Sequence, residues 1–253
     1  MAEHLITRED PTHNAWDETL APVLEVEPGD VVVVETDDFA GGQITRASTS
    51  ADLLALDFDT IYPLAGPIAV RGAKPGDALA VEILGFELPE WGWACIIPGL
   101  GLLPREEFPD PELRVFDLTG GDTTALTDGV SIPIEPFCGT MGVPGAAMRD
   151  TPIPPPHAGG GNIDCRHLTA GTTLYLPVEV DGGLLSLGDA HAAQGRDREA
   201  RTHGADDQAA VEQMHAPLPN RKQRRAQRKR DRARPSANGK SAPEERFAAP
   251  PGR

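Results

Sequence analysis

Between Pro155 and Gln194 the chain gathers side chains that can do chemistry: His157, Gly159-Gly160-Gly161-Asn162, Asp164, His167, Asp189, His191 and Gln194. Asp and His hold divalent cations, which in turn activate water for attack on a polarised carbonyl. Asp189 and His191 stand two residues apart directly after the apolar run Leu184–Leu187. In an extended backbone that spacing puts both on one face. Asn162 and Asp164 have the same spacing, after a glycine run that lets the backbone approach a ligand closely. Asp-x-His is an unspecific pattern. A turn-capping carboxylate and an ordinary loop histidine fit these positions as well as ligands do.

Two further groups are candidates. Asp38 follows a valine run and precedes Gly41-Gly42, so it reads as a metal ligand or as an Asx-turn residue. Glu135 follows Pro133-Ile134 and could act as a general base or orient water. Cys138 is a weak candidate nucleophile, because no base stands beside it in sequence and buried cysteines are usually inert.

Strands and turns must position these residues. Glu27-Pro28-Gly29-Asp30 leads into Val31-Val32-Val33-Val34, and Lys74-Pro75-Gly76-Asp77 leads into Ala78–Leu84. In each, Pro presets φ and Gly supplies the positive φ of a type II turn. Four successive valines predict a strand buried on both faces. Leu113–Leu118, Val130–Ile134, Thr172–Val180 and Leu184–Leu187 are further strand candidates, the last two predicted to form a hairpin through Asp181-Gly182-Gly183. Residues 51–62 fit either a short helix or a strand. With 27 glycines and 25 prolines, the chain reads as mainly β: a sandwich-like body with a smaller attached α/β part.

Charge divides the chain. The formal net charge is -16, but residues 1–195 are strongly acidic while residues 196–253 are basic, with nine Lys or Arg in 221–234. The acidic part disfavours nucleic acid and anionic substrates as partners and suits a neutral one. Residues 196–253 are poor in apolar side chains and are expected to form a disordered basic tail. Three widely spaced cysteines support neither a thiolate zinc site nor a disulfide framework. The polar start MAEHLITRED and the lack of a long apolar stretch predict a cytoplasmic protein without a membrane span.

Several segments resemble the acetamidase/formamidase family. Gly160-Gly161-Asn162-Ile163-Asp164 is similar to its GGNxD segment, and Gly188-Asp189-Ala190-His191-Ala192-Ala193-Gln194-Gly195 to its GDxHxxQG motif. Phe137–Val143 resembles PFxGxxGV, and Gly66–Val70 with Pro75-Gly76-Asp77 resembles GPxxV…PGD. His13 with Trp16, and Asp38–Gln43, also fit near the family's start. The matches keep their order over residues 4–195.

The resemblance implies hydrolysis of short linear amides such as formamide and acetamide, a β-rich fold, a homo-oligomer and a bound divalent metal, zinc or calcium. It places Asp38, Asp164, Asp189 and His191 around that metal. Asn162 would polarise the carbonyl, and Asp189, His191 and Glu135 would serve catalysis.

After Gln194 the family pattern continues with glycines, whereas this chain reads Gly195-Arg196-Asp197-Arg198-Glu199. That break predicts a frameshifted or truncated gene with impaired activity. The competing expectations are a non-catalytic amide-binding protein and, acting through 221–234, a nucleic-acid binder.

Overall fold

A computed structural model of the chain describes residues 1–100 and 103–194. The expected tail, with Asp197, Glu199 and the 221–234 run, lies outside the described residues. Within them the protein is almost entirely β. Among the described residues the only helical element is a 3₁₀ turn at Ser50–Ala55, which answers the ambiguity over 51–62. The predicted β content is therefore present, while no α-helix among the described residues corresponds to an attached α/β part.

One six-stranded sheet carries or adjoins the candidate residues Asn162, Asp164, Asp189 and His191. Gly160–Asn162, Phe137–Gly142, Leu185–His191 and Leu64–Val70 lie side by side, and Thr12–His13 and Leu24–Val26 both pair with Leu64–Val70. Five two-stranded ladders surround it. Among them, Ala78–Glu82 pairs with Thr173–Pro177, and Trp91–Ile96 pairs with Glu112–Asp117. Phe137–Gly142 is buried along its whole length between its two neighbours, as its small and apolar residues allow.

The two Pro-Gly-Asp turns form alike. The Asp30 N–H donates to Glu27 O at 3.1 Å, and the Asp30 carboxylate accepts the Glu27 N–H at 3.1 Å. The Asp77 N–H donates to Lys74 O at 3.0 Å, and the Asp77 carboxylate accepts the Lys74 N–H at 2.9 Å. Gly29 and Gly76 take φ of 92° and 97°, the conformation these turns demand of their third residue.

Two expectations are corrected. Val31–Val34 is half of a two-stranded parallel ladder with Glu3–Ile6, and Val33 is 47% exposed, so the strand is not buried on both faces. With a single partner strand it cannot be enclosed as a central strand is. The Asp181-Gly182-Gly183 turn is present, with Gly183 N–H donating to Val180 O, but it does not make a hairpin. Thr173–Pro177 pairs with Ala78–Glu82, whereas Leu185–His191 lies between Phe137–Gly142 and Leu64–Val70. The turn passes the chain from one sheet to another.

The main core packs Ile6, Val26, Ile68, Met141, Val143, Leu174, Leu176 and Leu185 together. Burying each such side chain contributes about 1.5–3 kcal/mol. A second cluster sets Ala40, Ile44, Leu53 and Leu56 against Trp93 and Leu113. A third joins Trp16, Leu64 and Ile153, with Tyr62 and Met148 against them.

Candidate metal centre

The sheet brings Asp164, Asp189 and His191 together. Asp189 and His191 lie at the end of Leu185–His191, where alternate residues share a face. Asp164 follows Gly160–Asn162, the strand on the far side of Phe137–Gly142. The gap is bridged at Gly139, whose carbonyl accepts the N–H groups of Ile163 at 3.1 Å and Asp164 at 3.0 Å. Gly139 leaves the space through which the two outer strands' side chains meet.

One donor atom from each of Asp164, Asp189 and His191 lies within 4.8 Å of the others. His191 Nε2 is 3.4 Å from Asp164 Oδ1 and 3.5 Å from Asp189 Oδ2. Both carboxylates are within strong Coulombic reach, yet Nε2 is buried and makes no hydrogen bond of normal geometry. Burial alone would lower the His191 pKa, but the two carboxylates outweigh it and raise it to about 9. The imidazole is fixed from its other face by stacking on Phe137, with ring centroids 4.7 Å apart. Gln194 donates to Asp164 O at 3.0 Å, tying the strand's continuation to the same corner.

A buried nitrogen without a hydrogen bond, facing two carboxylate oxygens, suits a cation shared by all three. An N,O,O donor set of this kind matches zinc more closely than calcium, which prefers oxygen alone. These residues therefore fit a bound divalent metal.

Backbone strain gathers at the same place. Five non-glycine residues among those described have positive φ: Tyr62, Asp150, Asp164, Leu184 and Asp189. Asp164 at 44° and Asp189 at 48° are two of the three carboxylate and imidazole residues, and such strain persists only where surrounding contacts impose it.

The remaining candidates sit differently. Asn162 lies opposite Thr140, whose hydroxyl donates to Asn162 Oδ1 at 3.0 Å and so leaves the NH₂ end to donate elsewhere. Asp38 is outside the three-residue cluster. Its carboxylate accepts Gly42 N–H, four residues on, at 3.2 Å and Trp93 Nε1–H at 2.7 Å, a turn contact of longer span than an Asx turn. Asp38 nevertheless borders the same large cleft as Asp189 and His191, about 2720 Å³ in volume. Glu135 also stands apart from the cluster, 3.8 Å from Arg166.

His157 accepts Gly159 N–H through Nδ1 and meets Trp16 edge-on, whereas His167 is exposed. Cys138 is fully buried, its thiol pushed up to about 12 by burial, which rules it out as a ready nucleophile.

Sequence reasoning did not single out Gly139, Trp93 or Tyr62. Gly139 lies inside a quoted motif, but its purpose depends on two strands that are distant in sequence. Trp93 and Tyr62 carry no local signal, and each joins the site's surroundings through Phe39, at ring separations of 5.2 and 5.6 Å.

The chain is similar to known proteins in sequence and in fold. The profile of the acetamidase/formamidase family matches residues 1–152 and 147–237, the second segment running past Gly195. Formamidase of Methylophilus methylotrophus is 30% identical, over 72% of this chain and 58% of its own. Acetamidase of Mycolicibacterium smegmatis is 28% identical, over 82% of this chain and 66% of its own. The crystal structure of acetamidase from Bacillus halodurans superposes with a TM-score of 0.70 at 36% identity, covering 76% of this chain and 63% of that one. A γ-lactamase from Delftia acidovorans gives the same TM-score at 25% identity, covering 76% of this chain and 62% of that one. This chain thus spans about 58% of the length of the first curated relatives it matches. With the ordered motifs, the shared fold and a profile match over most of its length, the chain belongs to the acetamidase/formamidase family.

Proposed function

We propose that the protein hydrolyses short linear amides, formamide and acetamide among them, adding water across the C–N bond to give a carboxylate and ammonia. The observation that carries this is the buried, unbonded His191 Nε2 between Asp164 and Asp189, in a chain of this family. Asp164, Asp189 and His191 would hold the metal, with Asp38 the more distant candidate ligand on the shared cleft. A bound divalent cation would supply Lewis acidity and a water of lowered pKa. Asn162, fixed by Thr140, donates its NH₂ to the substrate carbonyl oxygen as charge builds there. Glu135 is the general-base candidate, 3.8 Å from Arg166. A neutral amide enters without opposition from the acidic surface. A homo-oligomer is the proposed assembly.

The similarity to a γ-lactamase favours including a cyclic amide as a second substrate class. The test is ammonia release by the full chain from formamide and acetamide, with γ-lactam ring opening followed in parallel. Each is measured as purified, after chelation, and after zinc or calcium is restored. Activity on the linear amides, lost on chelation and recovered with zinc, is expected. Absence of turnover on every amide by metal-loaded protein would overturn the reading, and chelator-insensitive turnover would remove the metal from it.

A further inference from the structure

Of the three clustered side chains, Asp164 is the one that must be brought in from elsewhere. Asp189 and His191 share the Leu185–His191 strand and come to one face through its period of two. Asp164 follows a different strand, Gly160–Asn162, and its side chain is 46% exposed. Packing does little to fix such a side chain, so its position follows from its backbone. That backbone has φ of 44°, a conformation that a non-glycine residue holds where contacts impose it.

Two contacts impose it, one on each side of the residue. The Asp164 N–H donates to Gly139 O at 3.0 Å, and the Asp164 carbonyl accepts the side-chain NH₂ of Gln194 at 3.0 Å. Gln194 stands three residues after His191, on the segment that already carries the other two clustered side chains. That segment is held in turn. Phe137 lies opposite His191 in the ladder, and the Glu135 N–H donates to Ala192 O at 2.9 Å, which continues the pairing past the end of the strand. The chain that supplies two members of the cluster therefore also grips the third. A side-chain amide suits this task, because it donates to a backbone carbonyl and adds no charge beside the carboxylates.

Resting on the metal reading of the cluster, we propose that Gln194 is a positioning residue for the metal centre: its hydrogen bond to the Asp164 carbonyl holds that residue in its left-handed conformation and so keeps the Asp164 carboxylate beside His191 and Asp189. Gln194 touches neither metal nor substrate in this role. It acts through Asp164 alone, as hydrogen-bond partners of metal ligands do, at about 10–100-fold in metal affinity.

The experiment measures zinc affinity of the full chain by competition with a chromogenic chelator, in wild type, Q194M, D164A and the double variant. Methionine keeps the length and unbranched shape of glutamine and removes the donor. Q194M is expected to weaken zinc binding about tenfold. In the D164A background the ligand that Gln194 places is already gone, so Q194M should change zinc affinity there by less than about twofold. Unchanged affinity in Q194M would overturn the proposal. An equal loss in both backgrounds would overturn it too, since Gln194 would then act on the fold and not through Asp164.

A second readout needs no metal. Crystal structures of metal-free wild type and Q194M are expected to differ at Asp164, with φ turned negative and the carboxylate withdrawn from His191 in the variant. Asp164 unmoved in Q194M would refute the positioning role. Should Q194M fail to fold, Q194E, which has glutamine's shape and when ionised no donor, takes its place in both measurements. Wild type that binds no zinc would refute the metal reading alone, and the metal-free structures would still decide the role of Gln194.

Discussion

A Cβ placed on Gly139 would lie 2.6 Å from His191 Nε2 and 2.6 Å from the carbonyl oxygen of Asp189. No side chain fits there without moving the strand that carries both Asp189 and His191. Gly139→Ala is expected to cost about 1–3 kcal/mol of stability through this overpacking, and to abolish zinc binding because the imidazole is displaced. Denaturant unfolding and zinc titration by calorimetry measure the two effects. A variant that binds zinc as wild type does would show that the close approach is not needed.

The raised pKa of His191 has two sources that can be separated. In metal-free protein, Asp164→Asn removes one of the two flanking carboxylates but preserves shape. The His191 titration midpoint, read from its ring proton resonance, is expected to fall from about 9 toward the ordinary histidine range. A midpoint that stays near 9 would assign the whole effect to Asp189.

Two histidines give metal-free stability opposite dependences on pH. His191 is raised above its unfolded value near 6.5, so its contribution is complete below that pH and is lost as pH rises through about 9. His13 is lowered, chiefly by burial. Its Nδ1–H donates to Ala15 O at 2.8 Å, which favours the charged ring but does not outweigh burial, and its Nε2 lies 2.9 Å from the Ser186 hydroxyl. Its contribution is present above pH 6.5 and is lost as pH falls through its lowered folded-state pKa. Melting temperature against pH should therefore decline on both sides of neutrality. His13→Gln should flatten the acid limb alone, and an unaltered acid limb would contradict this assignment.

Cys138 is expected to be chemically silent in the folded protein. It is buried, its thiol lies 3.2 Å from Thr140 O, and its pKa is pushed up to about 12. Alkylation at neutral pH, mapped by peptide mass analysis, should mark Cys95 and Cys165 but leave Cys138 intact until denaturant is added. Cys138→Ala should keep amide turnover within about twofold of wild type. Loss of turnover with zinc affinity retained would return a catalytic role to the thiol.

Much of this was legible in residue order. The two Pro-Gly-Asp turns form as their residues require, because Pro and Gly restrict φ within a few residues. Asp189 and His191 share a face because strand geometry has a period of two. Val31–Val34 and the Asp181–Gly183 turn were misread for one reason: which strands pair is decided by apolar partners far along the chain. Asp38 illustrates the same limit. Its sequence context admits ligand and turn roles equally, and the Trp93 indole that engages it comes from the Trp91–Ile96 strand.

By itself the sequence determined the family, the β-rich character, the turn sites and the local pairing Asp189–His191, all set by side-chain type and short-range backbone geometry. Only the tertiary structure decided that Asp164 meets His191 across Gly139 and that Phe137 stacks on that imidazole. Those relations depend on strand order and on the absence of a single Cβ, and neither follows from distance along the chain.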